Sequence, residues 1–275
     1  MALGASDLLF DTALFLSRRQ KALVRAQLNP KSPFFLHNFA LEGNIDTIKT
    51  LKPDFDNALE LFSGNGEFAT ALADENLLGA GGKIKSLKLY EPAFSHFIGA
   101  KCINELEDLP LEDGVYDLII ANSCLNWVND LPGLLARIKR ALKKDGLFIA
   151  SFLGGRTLNE LRQSFLAVEA EETGGASMRI SPMIDLENAA ALLRRAGFLS
   201  PVSSSEVLRA RYDNVFALFR DLKAMGENSA FAVRNAAPLN RGLISKIATN
   251  YQEKNADSDG RVGATYEIVT VSAWN

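Results

Sequence analysis

Ala58-Leu59-Glu60-Leu61-Phe62-Ser63-Gly64-Asn65-Gly66-Glu67-Phe68 runs from an apolar strand, through a tight loop with glycines two apart, into a helix. In open α/β sheets, ligands bind outside the carboxyl ends of the strands, where small residues let a nucleotide-like group approach the backbone. A plain strand-to-helix turn has the same look, so the loop gains meaning only from the residues downstream of it. The next apolar run, 84–90, ends in Tyr90-Glu91-Pro92, about where a doubly wound site places a carboxylate for ribose hydroxyls. The spacing is a little long, and the Gly79-Ala80-Gly81-Gly82 loop accounts for the extra residues. Glu105 then precedes Leu109-Pro110, and Asp117 opens a buried strand that ends at Asn122. Three carboxylates at successive strand ends suit a ligand with two ribose hydroxyls and an amino-purine.

Outward from this loop, short apolar strands at 57–61, 84–90, 115–121 and 147–152 alternate with helical stretches, the pattern of βαβ units and a parallel sheet. Leu131, Leu134, Leu135, Ile138 and Leu142 share one helical stripe before the Asp145-Gly146 turn. Thr157-x-x-Glu160 reads as a capping box opening a helix to about residue 172, closed by Gly174-Gly175. A helix over 185–195, a β-like stretch at 202–208, a largely helical segment over 214–254 and a strand at 266–273 complete the chain. In front of the sheet, residues 13–28 form an amphipathic helix. Its Arg18, Arg19, Lys21 and Arg25 read as a surface face or as a peripheral membrane contact. The resulting division is an N-terminal helical extension over 1–50 and a main α/β domain over 51–275, with helical insertions at about 156–178 and 213–255.

Composition narrows the function. The 275 residues carry 30 Lys plus Arg against 33 Asp plus Glu, a net charge of −3 that gives no global attraction to nucleic acid. No apolar run reaches the roughly 20 residues of a transmembrane helix. The first basic residue is Arg18, so no secretory or transit signal is visible and a cytoplasmic location is expected. Cys102, Cys124, His37 and His96 are the only soft ligands, and each stands alone. They read as structural, and no metal site is expected.

The acidic strand with its glycine loop, the acidic end of the next strand, the acid before Leu-Pro and the aspartate-led strand resemble class I S-adenosylmethionine-dependent methyltransferases. That resemblance implies a Rossmann-like fold with a central, mostly parallel seven-stranded sheet, flanking helices and helical additions. It implies S-adenosyl-L-methionine as cofactor, with Glu60, Gly64 and Gly66 at its methionine end, Glu91 and Pro92 at the ribose, Glu105 and Leu106 at the adenine, and Asn122 as the floor. A narrower resemblance covers nearly the whole chain. Phe10-Asp11, Asn126-Trp127-Val128-Asn129-Asp130-Leu131-Pro132, Gly154-Gly155-x-Thr157-Leu158-x-Glu160-Leu161-Arg162, Gly174-Gly175-x-Ser177, Ile180-Ser181-Pro182, Arg195-Ala196-Gly197-Phe198, Met225-Gly226-Glu227 and Ala264-Thr265-Tyr266 resemble the bacterial and mitochondrial family of methyltransferase-like assembly factors of respiratory complex I. It implies a bacterial protein acting on a protein substrate, a complex I subunit; the characterised mitochondrial relative is described as an arginine hydroxylase. A looser similarity, to the malonyl-carrier-protein methyltransferase of biotin synthesis, covers only the cofactor half.

Two positions depart from the family. Phe62 stands where the first glycine of the loop belongs, so its ring either fills the cofactor site or swings beneath the sheet and leaves Gly64 and Gly66 to serve. Asn126 replaces a histidine, and an amide cannot cycle a proton near neutral pH. Three functions stay open at this point: a methyltransferase, an arginine-hydroxylase-type modifier, and an assembly module whose pocket Phe62 blocks. No catalytic residue is assigned. Asn126, Trp127, Arg156, Glu160 and Arg162 are the candidates for substrate contact, against a reading of packing and solvated helix face.

Overall fold

In the computed structural model, which describes residues 8–28, 34–93, 100–103, 106–107, 109–233 and 239–275, the sheet runs through the whole main domain. Its strands are β1 (Phe55–Leu61), β2 (Ile84–Glu91), β3 (Ala100–Cys102), β4 (Tyr116–Asn122), β5 (Leu142–Leu153), β6 (Leu199–Tyr212) and β7 (Val262–Trp274). They lie in the order β3-β2-β1-β4-β5-β7-β6. The pairs among β1 to β5 are parallel, and β7 runs antiparallel between β5 and β6. The strand order reverses between β1 and β4, so the loops leaving these two strands diverge and open a crevice at their carboxyl ends.

Alternation along the central strands builds a core on each face. Leu118, Ile120, Leu147 and Ile149 face one side, where α2 (Phe35–Thr50) and α3 (Glu67–Asp74) cover them with Leu41, Ile45, Ile48, Phe68 and Leu72. Ile119, Ala121, Phe148 and Ala150 face the other, under α4 (Leu131–Ala141) and α6 (Leu186–Arg195). Strands wrapped on both faces are near-continuous apolar runs, which is why 118–121 and 147–150 are legible in the sequence. A third cluster lies beyond the end of β5. There α5 (Asn159–Thr173), α7 (Val215–Met225) and α8 (Arg241–Asn255) pack on β7 through Phe165, Leu218, Leu222, Ile247 and Tyr266. The first helix, α1 (Thr12–Leu28), packs with Phe15 in the core and Ala22 and Leu23 in a small cluster with Phe34 and Ala93.

One local expectation is corrected, and two elements go beyond the sequence reading. The short β3 has no run of its own in the sequence and exists through three pairings to β2. The largely helical segment 214–254 holds two helices among the described residues, α7 ending where Gly226 takes φ +80. The capping box does not form: Leu158 is the residue flanking α5, with no side-chain cap. Thr157 Oγ1 instead accepts from Glu267 N at 3.1 Å, and Glu160 accepts from the Thr265 amide and hydroxyl. Both side chains bind a strand more than a hundred residues away, where buried backbone donors need partners.

Gly154 shows how tightly the end of β5 meets β7. A Cβ there would lie 2.6 Å from Val269 Cγ2 and 2.7 Å from Glu267 Oε2. Gly154→Ala is expected to cost about 1–3 kcal/mol in urea denaturation. Gly175→Ala, whose Cβ would meet nothing within 4 Å, should stay within about 0.5 kcal/mol of the parent.

Candidate functional site

The loop after β1 crosses the mouth of the crevice. Phe62 N and Ser63 N both donate to Tyr90 O, at 2.8 and 3.1 Å, which prolongs the β1–β2 pairing by a turn. This places Phe62 at φ +64, a left-handed conformation in which glycine would be unstrained. Its ring is 1% exposed, packs in the cluster that holds Leu61 and Trp127, and also walls the crevice. Gly66, at φ +79, caps α3, and Gly64 turns its amide onto the Glu91 carboxylate at 2.8 Å.

Glu91 is fully buried and does not await a ribose. The Arg19 guanidinium from α1 lies on it as a fork, Nε to Oε1 at 2.7 Å and Nη2 to Oε2 at 2.8 Å. Ala93 N donates to Oε1 at 3.0 Å, and with Gly64 N this makes two donors for each carboxylate oxygen. Arg19 Nη2 also donates to Phe62 O at 2.9 Å. The acceptor expected for the ribose is thus spent within the chain, and Arg19, read from sequence as part of a solvated basic face, is one of its buried members.

A second polar chain crosses the floor. Ser151 Oγ, 3.0 Å from Thr270 Oγ1, donates to Asn44 Oδ1 at 2.9 Å. Asn44 Nδ2 donates to Asn122 Oδ1 at 2.6 Å, and Asn122 Nδ2 to Glu60 Oε1 at 3.2 Å. The chain ends on Glu60 Oε2, which is buried and has no hydrogen-bond partner among the described residues. Burial pushes the Glu60 carboxyl well above the usual carboxylate range, with Asn122 pulling the other way. Ser63 Oγ and His37 Nε2 are likewise buried without a partner among the described residues. Burial, and then the Arg19 charge, lower the His37 imidazole to about 3.

These groups line a cavity of about 20 Å³, closed by Leu23 of α1, Phe34, and His37 and Leu41 of α2. That is room for about one water molecule, whereas sites for drug-sized ligands run to hundreds of cubic ångströms. The floor offers what the methionine end of S-adenosyl-L-methionine needs, a lone carboxylate oxygen and the Ser63 hydroxyl. The ribose end does not fit this arrangement, since Glu91 has no free lone pair and α1 stands in the way.

The remaining candidates divide between the core and the rim. Pro92 and Leu106 are buried beside the crevice strands, and Glu105 and His96 lie outside the described residues. Asn126 is 5% exposed, and its amide makes no hydrogen bond among the described residues. Trp127 is packed between Phe10 and Phe15, each at 5.1 Å between ring centroids, and its indole N–H donates to Glu227 at 3.2 Å. Arg156 is exposed, Glu160 is tied to Thr265, and Arg162 reaches Ser181 O at 3.5 Å. They do not converge with the Glu60 floor. Sequence reasoning missed Asn44 and the inward role of Arg19. The signal was there: Phe15, Arg19, Ala22 and Leu23, and Leu41, Asn44, Ile45 and Ile48, are apolar helical stripes each carrying one polar residue.

Comparison with known proteins agrees with this architecture. Residues 59–150 match a family model described as a methyltransferase domain. The rat protein named arginine-hydroxylase NDUFAF5, mitochondrial, is 34% identical over 271 residues, covering 97% of this chain and 77% of its own. A malonyl-[acyl-carrier protein] O-methyltransferase of Laribacter hongkongensis is 38% identical over 170 residues, 62% of this chain and 54% of its own. Among solved structures, YcgJ of Bacillus subtilis superposes with a TM-score of 0.57 at 14% identity, over 87% of this chain and 99% of its own, and so shares the fold.

Two outcomes are expected of the crevice. Arg19→Met strands a buried carboxylate and should cost about 3–5 kcal/mol by urea denaturation. Adding Glu91→Gln, which still accepts from a backbone amide but carries no charge, should recover part of that loss. The second concerns acid. With its native value near 3 and its unfolded value near 6.5, His37 favours the folded state above pH 6.5. That contribution is lost as pH falls toward 3, because the unfolded chain takes up the proton first. The urea midpoint should therefore fall less steeply over this window in His37→Gln than in the parent.

Proposed function

The chain belongs to the NDUFAF5 family of methyltransferase-fold proteins, and from that premise we propose that it acts on a protein substrate, a subunit of respiratory complex I, during assembly of that complex. A match to relatives named arginine hydroxylases over almost the whole chain supports the protein substrate, since the helical additions are matched along with the sheet. The observation that carries the reading of the site is the Arg19–Glu91 fork. The floor for an S-adenosylmethionine-type ligand is kept, and α1 is latched over it. The cofactor therefore enters only when Arg19 leaves Glu91, and the arrangement with the fork in place is the closed form.

A second reading is favoured by Phe62, whose ring adds a permanent wall to the crevice: an assembly module with no cofactor chemistry. In the first reading the product on the partner subunit is a methylated side chain, or a hydroxylated one where an oxidant such as molecular oxygen is supplied from outside the chain, and in the second the subunit is unmodified. Fold membership does not choose between them, because one scaffold hosts many activities.

Thermal unfolding with S-adenosylmethionine and its demethylated product, run on the parent, Arg19→Met and Phe62→Gly, separates the readings. Ligand at about 100 times its Kd adds roughly 2.7 kcal/mol, a rise on the order of 5–10 °C for a chain of this size. We expect a saturable rise that is larger in Arg19→Met than in the parent, each measured against its own baseline. A rise in Phe62→Gly alone assigns the block to the ring, and no rise in any of the three leaves the assembly module as the function.

A further inference from the structure

The helical additions enclose more space than the crevice does. A second cavity, of about 150 Å³, lies against Trp127 between α5, α7 and the stretch 179–183, and Glu227, Asn228, Ser181 and Ser229 set polar groups into its wall. A wall of that kind suits water. An adjoining space of about 280 Å³, between α5, α7 and α8, is of the opposite character. Phe165, Phe219, Leu222, Leu239, Ile244 and Ile247 make up most of its lining. Cavities lined by Leu, Ile and Phe stay dry and take apolar guests. Phe219, Leu239 and Ile244 are only half-buried, so apolar surface around the space is left partly in water, as it is where a ligand completes the packing.

Three groups set the charge of that guest. Lys223, exposed in the last turn of α7, is the only charged residue in the lining among the described residues. The N-terminal end of α8 also lies here, since Leu239 precedes its cap Asn240 and Ile244 closes its first turn, and that turn carries no acid. An ammonium and a helix N-terminus both favour an anion. Asn228, which lines both voids, has a buried Oδ1 with no partner among the described residues. It therefore has no bond to lose when the amide turns to present Nδ2 to a carboxylate. Glu227, which would repel an anion, lines the second cavity and not this space. One apolar wall with one positive corner suits a single alkyl chain with one anionic end. A phospholipid, with two chains, is too large for it.

We propose that the space between α7 and α8 binds a fatty acid, with its alkyl chain among Phe165, Phe219, Leu222 and Ile244 and its carboxylate beside Lys223 and the Asn228 amide. The site is separate from the crevice and is independent of what the crevice binds and of which protein the chain acts on. Phe165, Phe219, Leu222 and Asn228 also line the second cavity, so an occupied site fixes one wall of that cavity.

The probes are straight-chain carboxylates from hexanoate to tetradecanoate, titrated calorimetrically into the full chain below the concentrations at which they form micelles. Each added methylene is expected to tighten binding roughly threefold to fourfold until the space is full, after which the affinity levels off. Decylammonium, with the same chain length and the opposite charge, should bind roughly tenfold more weakly than decanoate. Lys223→Gln should weaken decanoate about threefold, since the ammonium is exposed, and leave decanol unchanged. Ile244→Phe, which fills the space from a half-buried position, should abolish binding of both, and each variant is checked for native circular dichroism. Hydrogen exchange locates the site: decanoate should slow exchange in α8 and leave α4 as it is. Affinity that climbs without levelling off, equal binding of decylammonium, undiminished decanoate binding in natively folded Lys223→Gln or Ile244→Phe, or no saturable heat overturns the proposal. Slowed exchange in α1 with none in α8 puts the chain in the crevice and overturns it as well.

Discussion

A guanidinium and a carboxylate withdrawn from water must satisfy each other almost completely, and the Arg19–Glu91 fork does so with two further backbone donors on the carboxylate. Much else in the molecule is placed by that requirement. Arg19 can reach Glu91 only if α1 lies across the carboxyl ends of β1 and β2, which puts Leu23 into the crevice and Phe15 onto Trp127. The same placement lets Arg18 donate to Asn228 O at 3.0 Å and also hold Ser229 O. Buried pairs of this kind add little net stability over apolar residues of the same volume, but half of one is costly. The pair therefore fixes where α1 sits more than how firmly the domain folds.

How much was legible depends on where each signal resides. The strands at 118–121 and 147–150 carry their own evidence, because burial on both faces leaves an apolar run in the local sequence. Glu91 was legible as a strand-end carboxylate, yet its partner lies 72 residues earlier on a helix. Nothing local distinguishes Arg19 from Arg18, Lys21 or Arg25 except its phase in the stripe Phe15, Ala22, Leu23. Thr157 and Glu160 show the converse. Their spacing matches a capping box, and tertiary demand from Glu267 and Thr265 overrode it. The three-residue β3 had no internal pattern at all and depends on β2 for its existence.

The polar floor is positioned by the sheet rather than by an occupant of the crevice. Thr270, Ser151, Asn44, Asn122 and Glu60 come from β7, β5, α2, β4 and β1 respectively. Four of the five sit on strands whose flanks are close-packed, so their positions are set by the core rather than by what fills the crevice. The chain of bonds orients Asn122 and leaves one Glu60 oxygen over. A carboxylate built only for structure would be expected to have both oxygens paired, as Glu91 has, and the contrast between these two residues is what supports the proposed ligand position in the crevice.

The two cavities are joined by α1 and by Trp127. Gly226 at φ +80 packs its bare Cα against α1, where a Cβ would stand 3.3 Å from that of Ala22. A side chain there would push α1 away from the turn that carries Glu227. On the other side of the same turn, the Trp127 indole binds Glu227 while Phe15 of α1 stacks on its ring. Neighbouring residues of one helix therefore hold Glu91 and brace the wall of the second cavity. Close-packed contacts of this kind do not stretch; they exchange between arrangements or stay as they are. A shift of α1 large enough to free Glu91 must also unstack Phe15 and release the carbonyls at 228 and 229. The state of the crevice and the shape of the second cavity are consequently set by the same helix, and neither can be altered without cost to the other.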